Sequence, residues 1–148
     1  MDETQTQQAE SSNDTAYADI YSEDGSIRAD YLDRIDRFIE EEDVEALAEA
    51  VAPLHESELG DLIETLEAGS RRQLVLLLGD RFDFSALTEV DEGIRLDIID
   101  ALPNDQIAVA VQALDSDDAV YILEDLGEED QAEILAKLPF TERIRLRR

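Results

Sequence analysis

The residues with the most chemical potential in this chain are carboxylates crowded into one run, Asp115-Ser116-Asp117-Asp118. Oxygen ligands suit hard divalent cations, and acids at the first, third and fifth positions before a Gly at the sixth would open a calcium loop. Here the fifth position is Ala119 and the sixth is Val120, so that loop is excluded. Two readings remain. In one, the run simply starts a helix, where acids match the positive end of the helix dipole and side-chain oxygens accept from free backbone donors. In the other, Asp117 and Asp118, with Asp115 beside them, form one side of a divalent-cation site whose other side belongs to a partner. Magnesium keeps several of its waters and takes only one or two carboxylates, so a single domain need not close a cage around it. Asp91, Glu92 and Glu128, acids at other helix starts, are second-rank candidates of the same kind.

Catalysis finds little support. His55 is the single histidine and cysteine is absent, which removes histidine clusters, thiolate metal sites and disulfides. No nucleophile sits beside a base in a recognisable setting, and Gly60, Gly69, Gly79, Gly93 and Gly127 do not make a phosphate-binding loop; two or three of them read as helix ends. The chain therefore reads as a non-enzyme. Its 39 acidic against 12 basic residues leave a formal net charge of -27. Such a field repels phosphates and disfavours nucleic acid and anionic membrane, while favouring cations and basic protein surfaces. No apolar run approaches the ~18 residues of a membrane span, and the N-terminus lacks the pattern of a signal peptide. No direct membrane insertion is expected.

What must position these acids is a ruler of twelve residues. Leu54, Leu66, Leu78, Val90, Leu102, Leu114, Leu126 and Leu138 form an unbroken apolar column, and the residues three and four places before each are apolar as well. Turn-forming residues usually follow the column residue. The spacing predicts helices near 56–66, 69–78, 82–89, 92–102, 105–113, 116–126, 128–138 and 140–147, with 82–89 readable equally as an extended connection. Ser57, Ser70, Asp91, Asn104, Ser116 and Thr141 stand where caps are expected. Two helices come before them, within Ile27 to Glu42 and Asp43 to Ala52, the second ending ahead of Pro53. Helices of eight to eleven residues are marginal alone and must stack. The predicted fold is all-α: a superhelical, solenoid-like array of about ten short antiparallel helices over 27–148. Residues 1–26, rich in Gln, Ser, Thr and acids, read as a disordered acidic tail, with room for a short binding segment around Ala16 to Tyr21. Arg143, Arg145, Arg147 and Arg148 crowd the last residues, which suggests either a chain that continues or an end that docks on an acidic partner.

The segments LHESELGDLIETL, DEGIRLDIIDALP and LDSDDAVYILEDLGEEDQAEILAKLP give the chain, over about residues 43–148, a resemblance to the N-terminal cytoplasmic domain of MgtE-type magnesium transporters and channels. The resemblance implies a regulatory domain, paired with CBS domains and a membrane pore in a homodimer. Magnesium shared between its acids and the CBS side would hold the pore closed. Asp117 matches the acid of the family's LDxDDA segment and Asp118 adjoins it; where the family can carry further acids, this chain has Tyr121 and, nearer the middle of the array, Ser85. A freestanding acidic helical-repeat adaptor for a basic protein partner is the competing reading.

Overall fold

The computed structural model describes residues 18–146, which fall into two compact units divided between Leu54 and His55. The single 27–148 domain expected from the ruler is thus two units. The expectation of a disordered segment over residues 1–17 lies outside the described residues. Over residues 18–26 it is corrected: these are ordered, because Ile20 and Tyr21 bury their side chains and Tyr21 pairs with Ile27 in an antiparallel bridge. Gly25, at φ 88°, closes the turn between them, and the Asp24 carboxylate accepts from both the N–H and the hydroxyl of Ser26. Two helices complete this unit, α1 (Ala29–Glu40) and α2 (Val44–Val51). Tyr31, Ile35 and Ile39 fall four residues apart on the buried face of α1. The Tyr31 hydroxyl donates to the Ala50 carbonyl at 2.8 Å, and Asp43 caps α2 by accepting from Ala46 N–H.

The second unit is a run of short helices: α3 (Glu56–Thr65), α4 (Ala68–Leu78), two 3-10 helices (Gly79–Arg81 and Phe84–Glu89), α5 (Glu92–Ala101), α6 (Asn104–Ala113), α7 (Ser116–Glu124), α8 (Glu128–Lys137) and α9 (Phe140–Leu146). The ruler has a physical origin here. At Leu66, Leu102, Leu114 and Leu138 the backbone leaves the helix for extended angles while the side chain stays in the core. One residue thereby ends a helix and seals its base. Of the ruler's 24 apolar positions, 20 are buried, and only Ala50, Leu54, Leu126 and Leu135 are half-buried, so the three columns are core.

The uncertain stretch 82–89 settles between its two readings. Phe82 is extended, and 84–89 winds as a 3-10 helix that still buries Phe84, Ala86 and Leu87, with Val90 buried just beyond it. Side chains compete with the backbone there: Asp83 accepts from Ser85, and the Thr88 hydroxyl donates to the Ser85 carbonyl at 2.7 Å. Phe82 and Phe84 meet edge to face, 5.1 Å between ring centres. The segment packs on α3 at Gly60, where any Cβ would lie 3.1 Å from that of Glu89. Among the five glycines named above, Gly79 is the one that closes a helix with a positive φ, 56°.

Capping needs a correction. Of the six expected caps only Asp91 sits at an N-cap position, where it accepts from Gly93 N–H; Ser57, Ser70, Asn104, Ser116 and Thr141 lie inside their helices. The Asn104 amide instead reaches across to Asp130 and Glu133 of α8. Among the described residues no helix is long and apolar enough to cross a membrane.

Candidate divalent-cation site

The turn between α6 and α7 carries the acid run. Leu114 turns the chain out of α6, Asp115 is the N-cap of α7, and Ser116, Asp117 and Asp118 are its first three residues. Ala119, Ile122 and Leu123 bury the opposite face of α7 and so fix which way that start faces. Asp115 and Asp117 are exposed, and Asp118 is half-buried. The Asp118 carboxyl is held above the ordinary value of 3.8 by burial first, and then by the charges of Asp115, Glu56, Asp117 and Asp83. Every charge that moves it is negative. Five acids from three chain segments therefore act on one locus: Glu56 at the first position of α3, Asp83 ahead of the 3-10 helix, and the start of α7.

Sequence reading had no access to Glu56 and Asp83, which are remote in the chain and carry no local signature of their own. Ser85, where the family resemblance lacked an acid, donates its N–H (3.1 Å) and its hydroxyl to the Asp83 carboxylate. An acid thus stands two residues from that position. Asp91 is occupied in another way: it caps α5, and its own N–H donates to the Glu64 carboxylate at 3.2 Å. Glu92 and Glu128 stand exposed at the first positions of α5 and α8 and are not among the charges felt by Asp118. His55 is the exposed N-cap of α3, its N–H bound by the Glu58 carboxylate at 3.0 Å. Among the described residues no three His, Cys, Asp or Glu side chains are disposed to hold a metal ion by themselves. The donor set fits one side of a hydrated cation rather than a closed cage.

Tyr121, one turn beyond Asp117, has a structural task. The Arg95 guanidinium lies 4.5 Å from its ring centre and pairs with Asp125; the Arg95 residue is only 4% exposed. A buried arginine of α5 is thus clamped by Tyr121 of α7 and by Asp125, the C-cap of that helix, holding the acid-bearing helix in place. Burial of Arg95 was also missed in the sequence, where it reads as one more charge.

Together these observations define an all-α domain of stacked short helices with an acid locus at one helix start. Residues 54–148 match the family described as the MgtE intracellular N domain, and the chain belongs to that family. The matched residues coincide with the second unit. A solved structure described as the soluble part of a magnesium transporter is similar to this chain with a TM-score of 0.66 and 18% identity, over 79% of this chain and 46% of that one. The chain thus spans under half the length of that relative, and at this identity the likeness shows the fold. No curated protein sequence matches.

Proposed function

We propose that this chain is the cytoplasmic regulatory domain of a magnesium transporter, and that its α7 acids sense magnesium. In this reading Asp117 and Asp118, with Asp115 beside them, supply one side of a hydrated magnesium site, and CBS domains of the same transporter supply the other. Bound magnesium neutralises the acids and holds the domain against the CBS side, closing the pore of the homodimer. When magnesium falls, the acids repel and the domain departs, a population shift set by the cation's preference for the closed arrangement. The observation that carries this is the set of four carboxylates acting on one half-buried aspartate, a mutual repulsion that a divalent cation relieves. Asp91, tied up as a helix cap, has no part in it.

Thermal unfolding of the 148-residue chain in magnesium chloride, against sodium chloride of equal ionic strength, tests the reading. At ten times its Kd, a ligand of the folded state adds about 1.4 kcal/mol, or roughly 3–5 °C for a chain of this size. A magnesium-specific rise of that order is expected. Equal midpoints in the two salts would favour the second reading, an acidic adaptor for a basic protein partner, for which the net charge of -27 speaks.

A further inference from the structure

A basic residue of the last helix reaches the acid-bearing turn. Arg145 of α9 donates from its guanidinium to the Ser116 hydroxyl at 2.8 Å and to the carbonyls of Leu114 and Val111, both at 3.3 Å. Val111 belongs to the last turn of α6, whose carbonyls lack partners within the helix, and Leu114 is its C-cap. A cation there also suits the negative end of the α6 dipole. Leu114 and Ser116 flank Asp115, so the guanidinium grips the turn on both sides of the first acid. The sequence left two readings of this Arg-rich end, a chain that continues or an end that docks on an acidic partner; Arg145 itself is spent inside the domain.

The rest of α9 is lightly held. It has seven residues, of which Leu146 alone is buried, while Phe140 and Ile144 are 68% and 57% exposed. A helix of that length does not persist alone. The bonds made by Arg145 are therefore a large part of what seats it, and Glu142, one turn earlier, fixes the guanidinium with an ion pair at 2.8 Å. Because that pair is neutral as a unit, Arg145 acts on the acids through geometry more than through its charge.

We infer that Arg145 is a positioning residue for the acid locus: it sets the α6–α7 turn, and through it cation affinity depends on the seating of α9. The inference rests on the magnesium reading above. Anything that pulls α9 away removes the guanidinium and loosens the helix start carrying Asp117 and Asp118, so the last helix and the acids respond together.

Arg145→Lys separates position from charge. It keeps the cation, but a compact ammonium cannot span three acceptors laid out for a planar fork. In the 148-residue chain, the magnesium concentration giving half the magnesium-specific thermal shift should rise about three- to tenfold, as the loss of one net hydrogen bond implies. Ser116→Ala removes a single acceptor and leaves the fold intact, and should raise it about two- to threefold. Amide exchange at residues 116–119 should quicken in Arg145→Lys while that of Leu74 and Val75 in α4 holds. A wild-type midpoint in both variants overturns the inference and leaves the magnesium reading standing. Absence of any magnesium-specific shift in the wild type overturns that reading, and the role of Arg145 with it.

Discussion

Replacing Arg95 by Met should destabilise the second unit more than any surface change. The Arg95 and Asp125 side chains are 5% and 13% exposed, so water cannot take over the role of the missing guanidinium. Removing one partner of a buried pair leaves the other charge uncompensated and costs about 3–5 kcal/mol. The guanidinium's contact with the Tyr121 ring, at 4.5 Å, is lost as well, worth ~0.5–2 kcal/mol. The two losses together come to about 3.5–7 kcal/mol; with unfolding entropy of about 2.1 cal/mol/K per residue, roughly 0.3 kcal/mol/K for this chain, the melting point should fall by about 11–23 °C. Met keeps much of the volume, which confines the loss to charge and hydrogen bonding. The double variant Arg95→Met with Asp125→Leu should recover most of the stability, because an apolar pair of similar size replaces a buried ion pair at little net cost. Thermal and denaturant unfolding of the four proteins completes the cycle. A single Arg95→Met variant within about 1 kcal/mol of wild type would refute the account of how α7 is held on α5.

Three smaller changes test other parts of the structure. Because burial and the neighbouring acids hold the Asp118 carboxyl above its ordinary value, its ionised form costs stability at neutral pH, and Asp118→Asn in magnesium-free buffer should melt higher than wild type at pH 7. That gain should shrink as pH falls through the raised value and vanish below 3.8, where the aspartate is protonated folded and unfolded alike. Burial pushes the Tyr31 phenol from 10.0 up to about 12. The stability this gives is full below pH 10 and is lost as pH rises through 12, so alkaline melting of wild type should be steeper over that window than that of Tyr31→Phe. Gly79→Ala places a side chain at φ 56°, ψ -123°, a region almost reserved for glycine, and should cost about 1–3 kcal/mol in urea unfolding.

What the sequence made legible was the part of the structure that repeats. Leu66, Leu102, Leu114 and Leu138 carry the ruler because one residue must both leave the helix and fill the core, and that double demand recurs every twelve residues. Only Phe84–Glu89 broke from the pattern. There the apolar spacing still suited a helix, while Asp83 and Thr88 diverted polar bonding into a 3-10 form. Ser57, Ser70, Asn104 and Ser116, expected as caps, sit inside helices because His55, Glu67, Pro103 and Asp115 take the boundary positions, and a shift of one to three residues is below what spacing can resolve. Of the candidate site, the α7 acids were visible because they adjoin in the chain. Glu56, Asp83 and Arg145 were not, since each reaches the locus through packing between elements 29 or more residues apart. Arg95 is the same case: its burial depends on Tyr121 and Asp125, a residue of a different helix and that helix's C-cap.

The central claim is that the α7 acids bind magnesium, and it is tested most directly by comparing wild type with the Asp117→Asn, Asp118→Asn double variant. Both would be titrated with magnesium chloride against sodium chloride of matched ionic strength, with the unfolding midpoint as readout. The account predicts a magnesium-specific rise of about 3–5 °C in wild type, at ten times Kd, and its loss in the variant. A variant that keeps the full magnesium-specific rise would contradict it.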